Sequence, residues 1–161
     1  MSSVLSLGAN LGDRLANLQR GLAVVAMHVP VSAVSAVYET APIGGEEQPA
    51  YLNAVARVDS DDPQQVFAAA QAAEVSQARL RSRRWGPRTL DVDVIAVDAI
   101  VSSDPRLTLP HPRAAQRAFV LLPWLDIDRN AQFPGGGSVA ALADRLADQQ
   151  VRRTAARLVL P

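Results

Sequence analysis

The 161 residues carry 16 basic and 16 acidic side chains, every basic one of them arginine, and no cysteine. Zero net charge withholds the general electrostatic footprint of a nucleic-acid binder, and the missing cysteine excludes disulfides, thiolate metal sites and cysteine nucleophiles. Without lysine there is no Walker A phosphate loop, so oxygen-ligated hard cations and arginine remain as the means of handling phosphate.

The length suits one domain over residues 1–161, large enough to bury roughly 68 to 70% of its unfolded surface. No charged segment leads into an apolar run at the start, and no apolar stretch approaches the about 18 residues of a membrane span. A soluble cytoplasmic protein is therefore expected.

Ser3 to Leu7 reads as a strand, and Gly8-Ala9-Asn10-Leu11-Gly12-Asp13 as the loop that opens a helix. The helix begins near Asp13 and repeats Leu15, Leu18, Leu22, Val25 and Val29 at helical spacing up to Pro30. Val31 to Tyr38 makes a second, largely buried strand, and Thr40 to Pro49 is too rich in Gly, Pro and Glu to be regular. Tyr51 to Val58 is a third strand, with Tyr51, Asn53, Val55 and Arg57 on one face. After the turn Asp59 to Pro63, a second helix places Val66, Phe67, Ala70, Ala73, Glu74 and Leu80 along its pattern and runs into Arg79, Arg81, Arg83, Arg84 and Arg88. Leu90 to Val97 is the fourth strand. This β-α-β-β-α-β order predicts an α+β fold with a ferredoxin-like core and a C-terminal helical extension. In the extension, Leu107 to Pro112 is extended because prolines 110 and 112 fix it. Ala114 to Trp124 contains a short helix, Gly135-Gly136-Gly137 separates it from a terminal helix over Val139 to Ala147, and the last ten residues receive no assignment.

Residues Arg84-Trp85-Gly86-Pro87-Arg88-Thr89-Leu90-Asp91-Val92-Asp93 carry the chemistry. On a strand, Asp91 and Asp93 project from the same face roughly 6 to 7 Å apart, where they can bracket Mg2+ ions that bridge phosphate oxygens. A bare Asp-x-Asp is more often a polar strand face in water. The neighbouring arginines favour a metal polyphosphate, because their planar forks meet the phosphate oxygens that metals leave unneutralised.

That segment resembles the signature of the 6-hydroxymethyl-7,8-dihydropterin pyrophosphokinase family, R-W-G-P-R-x-L-D-[LV]-D followed by aliphatics. Gly8-Ala9-Asn10-Leu11-Gly12, Tyr38 to Gly44, Gln48 to Ala54, Leu107 to Arg113 and Arg117-Ala118-Phe119 extend the resemblance from about Val4 to Leu125, in order. It implies transfer of pyrophosphate from ATP to the hydroxymethyl oxygen of the reduced pterin, with AMP leaving and two Mg2+ ions held by Asp91 and Asp93. Arg84 and Arg88 are the implied catalytic arginines, acting with Trp85 as a loop folds over both substrates. Tyr51 and Phe119 are implied to sandwich the pterin, Asn53 to read its amide-like edge, and Thr40, Pro42, Ile43 and Gly44 to add contacts. For ATP the resemblance implies Gln71, Glu74, Arg79, Arg81, Arg88, Thr108, His111 and Arg117. Asn10 and Gly8 shape the loop after the first strand, with helix capping an equal alternative for Asn10. Ala41, Pro112 and Ala115 depart from the family pattern. The expected partners are a pterin and ATP, with no nucleic acid or membrane, acting on a monomer. An RNA-binding ferredoxin-like module without catalysis is the principal rival, weakened by an aromatic content of 4%. Other metal-dependent nucleotidyltransferases or nucleases, and a relative that has lost activity, are further alternatives.

Overall fold

β1 (Ser3–Ala9) is buried along its whole length and is the axis of the sheet. It pairs antiparallel with β4 (Tyr51–Val58) on one side and β5 (Asp91–Val97) on the other. The protein is represented by a computed structural model that describes residues 2–41, 49–77 and 89–161. Beyond β4 lie β2 (Val31–Val34) and β3 (Ala36–Thr40), and β3 pairs antiparallel with β8 (Val151–Arg157), giving the path β5-β1-β4-β3-β8 with β2 also on β4.

Alternation along these strands divides the apolar side chains between two faces. Leu5, Leu7, Ala54, Ala56, Val92 and Val94 form one core with the buried residues of α1 (Arg14–Ala26) and α2 (Pro63–Ser76). Val4, Val55 and Ile95 form the other with α3 (Ala118–Ile127) and α4 (Val139–Asp144). The result is a mixed α/β molecule, an antiparallel sheet between two pairs of helices. Trp124 of α3 meets Phe133 at a centroid separation of 6.1 Å. Phe133 belongs to a two-stranded ribbon of β6 (Gln132–Phe133) and β7 (Gly137–Ser138), where Gly135 and Gly137 adopt positive φ. Among the described residues, no helix is long and apolar enough to cross a membrane.

The expected second strand is broken at Ser35 into β2 and β3. Ser35 inserts its hydroxyl into the ladder, accepting from Val55 N at 2.9 Å and donating to Ala36 O at 2.7 Å. α1 starts where its capping residue predicts, with Asp13 accepting from Ala16 N at 3.1 Å, so Asn10 does not cap it. Leu15, expected on the apolar face, is 36% exposed. The expected helix over Ala114 to Trp124 is a 3-10 turn at Ala114–Gln116 followed by α3, and the terminal helix is shorter than Val139 to Ala147. The extension is not only helical. Its last residues form β8, because Thr154 Oγ1 donates to Val37 O at 2.7 Å and the backbone closes on the open side of β3. Leu80 lies outside the described residues.

Asp126 ties α3 to β3, accepting from Tyr38 OH at 2.9 Å and from Ala36 N at 3.2 Å. Burial first, then the bond to Asp126, raises the Tyr38 phenol from near 10 to about 12. The folded state thus holds this proton more tightly than the unfolded chain, so its stabilising effect is complete below pH 10 and is lost as pH rises toward 12. The chain has two tyrosines and no lysine, which leaves few other groups titrating in that window. Denaturant midpoints measured between pH 8 and 11.5 are expected to fall steeply above pH 10 in the native chain. Tyr38→Phe is expected to start lower and to show a flatter decline, and a decline as steep as the native one contradicts this account.

Candidate active site

Strand register brings the chemistry-bearing side chains together. Gly8 of β1 stands opposite Asn53 of β4 and Asp91 of β5, while Ser6 stands opposite Val55 and Asp93. The larger polar groups therefore flank two of the smallest residues, and the sheet is hollow between them. A Cβ added at Gly8 comes within 3.1 Å of Asn53 Oδ1, so the carboxamide has to give by a few tenths of an ångström to admit it. The hollow opens into a cleft of about 680 Å³ whose lining includes Ser6, Gly8, Thr40, Tyr51, Asn53, Asp91, Asp93, Arg117 and Phe119.

Each wall is held from a different element. Asn53 is 3% exposed and donates from Nδ2 to Thr40 Oγ1 at 2.9 Å, so a buried carboxamide is oriented by a neighbouring strand. Tyr51 pairs with Thr40 across the same two strands. Opposite them, Phe119 lies in the first turn of α3, and the Arg117 guanidinium sits 5.6 Å from the centre of its ring. Arg117 also reaches Asp93, with NH1 3.6 Å from Oδ2.

A second cavity, of about 300 Å³, lies beside β5 and is lined by Gln71 and Glu74 of α2, by Thr108 and His111, and again by Asp93. β5 ends the sheet on this side, and the segment after it partly covers its open edge, His111 N donating to Ile95 O at 2.8 Å. His111 Nδ1 accepts from Arg113 N at 3.2 Å, which leaves the proton of a neutral ring on Nε2, 3.9 Å from Asp93 Oδ2. Burial holds the His111 imidazole below its ordinary value against the opposing pull of Asp93, and Arg117 and Arg113 push the same way as burial. Glu74 Oε1 accepts from Val92 N at 3.4 Å, linking α2 to the carboxylate-bearing strand. Asp93 is thus the side chain on which the two cavities meet.

Asp91 and Asp93 offer hard carboxylate oxygens on one face of an accessible cleft, a donor set that suits Mg2+. Among the described residues no three His, Cys, Asp or Glu side chains group into a complete metal cage.

Of the residues singled out from sequence, Thr40, Tyr51, Asn53, Asp91, Asp93, Arg117 and Phe119 line the larger cleft, and Gln71, Glu74, Asp93, Thr108 and His111 the smaller. Pro42, Ile43, Gly44, Arg79, Arg81, Arg83, Arg84, Trp85 and Arg88 lie outside the described residues. Of the departures from the family pattern, Ala41 borders the larger cleft and Pro112 the smaller, while Ala115 packs against the α3 core. Sequence reasoning missed Ser6, Gln116, Gln149, Gln150 and Val151, which also line the larger cleft. Ser6 was open to detection by its two-residue spacing from Gly8 on β1. The residues at 149–151 enter only through β8, which carries no clear strand pattern.

The model of the family described as 7,8-dihydro-6-hydroxymethylpterin-pyrophosphokinase (HPPK) matches residues 4–129. A Mycobacterium tuberculosis protein named 2-amino-4-hydroxy-6-hydroxymethyldihydropteridine pyrophosphokinase is 41% identical over 98% of this chain and 89% of its own length. A protein of the same name from Haemophilus influenzae is 30% identical over 94% and 96%. Among solved structures, a Plasmodium falciparum HPPK-DHPS variant aligns with a TM-score of 0.70 at 11% identity, over 91% of this chain and 43% of that one. This chain therefore spans less than half the length of that protein, and the likeness is one of fold. With the family model matching most of its length and relatives similar from end to end, the chain belongs to the 7,8-dihydro-6-hydroxymethylpterin-pyrophosphokinase family.

Proposed function

We propose that this chain is the pyrophosphokinase of folate biosynthesis, transferring pyrophosphate from ATP to 6-hydroxymethyl-7,8-dihydropterin to give the pterin diphosphate and AMP. The observation that carries this reading is the position of Asp93, shared between an aromatic and amide-lined cleft suited to a flat heterocycle and a second cavity lined by Gln71, Thr108 and His111. Family membership and the names of relatives similar over nearly their full length support it. The strand order also supports a ferredoxin-like core of β1, α1, the β2 and β3 pair, β4, α2 and β5, in which the first strand lies between the last and β4. We read residues 1–161 as one domain acting as a monomer on small molecules.

In this reading Tyr51 and Phe119 face the two sides of the pterin ring, each stacking contact adding about 0.5 to 1.5 kcal/mol beyond area burial. Asn53, oriented by Thr40, pairs with the amide-like edge of the ring. Arg117, already poised near Asp93, meets phosphate oxygens with a planar fork that bonds two of them at once. His111, held neutral, donates from Nε2 toward the same phosphates. Asp91 and Asp93 would hold two Mg2+ ions, which when bound would neutralise charge on the triphosphate and polarise the phosphorus under attack. The hydroxymethyl oxygen bonds to the β-phosphorus as the link to the α-phosphate breaks in line, AMP departs with the electron pair of that bond, and the hydroxyl proton passes to solvent. No side chain among the described residues is placed as a dedicated base, so positioning and electrostatics carry the rate. Arg79, Arg81, Arg84, Trp85, Arg88, Pro42, Ile43 and Gly44 are assigned to phosphate and pterin binding on the family resemblance.

Incubated with ATP, Mg2+ and the hydroxymethyl dihydropterin, the protein is expected to release AMP and the pterin diphosphate in equal amounts. Appearance of ADP, or Mg2+-independent and salt-sensitive RNA binding in place of turnover, removes this assignment. Asp91→Asn and Asp93→Asn are each expected to lower kcat by about 100-fold or more, the scale of losing one charge-stabilising group. Pterin affinity, followed by its fluorescence without nucleotide, is expected to change less than about threefold, since stacking and the Asn53 contact remain. Adding a chelator to the native protein is expected to abolish turnover, and restored Mg2+ to return it.

A further inference from the structure

The cleft has a wall that the family match does not cover. Beyond residue 129, where that match ends, the connection from α4 to β8 returns to the site and contributes Gln149, Gln150 and Val151 to its lining. Gln149 uses both ends of its carboxamide there. Its Oε1 accepts from Ala118 N at 2.9 Å, and its Nε2 donates to Gln116 O at 2.8 Å. Two residues later, Val151 pairs with Thr40, the residue that orients Asn53. One short stretch of chain thus touches both walls of the cleft.

α3 needs this outside help. Its capping residue, Arg117, makes no side-chain capping bond, whereas helices usually satisfy their first free amides with Ser, Thr, Asp or Asn at that position. Ala118 is 2% exposed, so water is a poor substitute for the Gln149 acceptor. A first turn left without that bond must shift to satisfy its amide, and Arg117 and Phe119 flank the residue that moves.

We propose that Gln149 is a positioning residue for the pterin, a clamp from the C-terminal segment that sets Arg117 and Phe119 against the Thr40, Asn53 and Tyr51 wall. The proposal rests on the pyrophosphokinase reading for its substrate, but not for its geometry. Losing a single bond of this kind corresponds to a change of about fivefold to tenfold in an equilibrium. The experiment uses the full chain with Gln149→Leu, which keeps the size and removes both bonds, and Gln149→Glu, which keeps the acceptor for Ala118. Exchange of the Ala118 amide, followed by NMR, is expected to accelerate at least tenfold in Gln149→Leu and to stay near native in Gln149→Glu, with α1 amides unchanged in both. The pterin KM is expected to rise about fivefold to tenfold in Gln149→Leu and less than about twofold in Gln149→Glu, with the ATP KM rising in the same order through Arg117 and kcat changing less than about threefold. Unaltered Ala118 exchange in Gln149→Leu overturns the clamp, as does a pterin KM within twofold of native or equal behaviour of the two variants. A native chain that makes no AMP overturns the functional reading instead, and the exchange result then judges the clamp alone.

Discussion

A β-strand can show only every second residue to one side, and the site depends on three adjacent strands obeying that constraint in register. β5 presents Asp91 and Asp93, β1 presents Gly8 and Ser6, and β4 presents Asn53 and Val55, each set aligned with the next. Small residues on the central strand are what turn a flat sheet surface into a hollow. A register slip of one residue on β5 moves both carboxylates to the α1 and α2 side, where Val92 and Val94 now sit in a core that has no use for charge. The buried aliphatics of β5 therefore fix the face on which the two carboxylates stand as firmly as any polar contact does.

The two helical layers divide the work. α1 and α2 fill one face of the sheet continuously, whereas α3 and α4 cover the other only in part. The uncovered end is the cleft. This explains why α3 carries both core and cleft-lining residues: Val120, Leu121 and Trp124 are buried in its core, while Phe119 at its start borders the open space. Asp126, near the other end, anchors the helix to β3 through Tyr38 and Ala36.

Much of this was legible before any coordinates. Helical spacing in α1, its start near Asp13 and period-two alternation in β4 are local signals, and local signals survive folding. Asp91, Asp93, Tyr51 and Asn53 were singled out because strand alternation and motif agreed, and all four line the larger cleft. What escaped detection depended on distant partners. Ser35 breaks an apolar run that reads as one strand, because its hydroxyl bonds to Val55 twenty residues away. β8 mixes Arg152, Arg153 and Arg157 with small residues, lacks a buried face of its own, and becomes a strand only because β3 is there to receive it. Gln149 and Gln150 look like any polar turn until that pairing carries them back to the cleft.

The position of β8 has a bearing on behaviour at high concentration. Without it, β3 would be the outermost strand on that side, a row of open peptide groups beside largely buried side chains, the kind of template that recruits strands from other molecules. β8 takes that place and offers a border studded with guanidinium groups, of which Arg152 and Arg153 lie near Glu39 and Asp126. A second copy approaching edge to edge meets like charge and bulky, hydrated side chains. β8 thus puts charged, hydrated side chains where β3 would otherwise lie open, and a chain cut before residue 151 uncovers that edge.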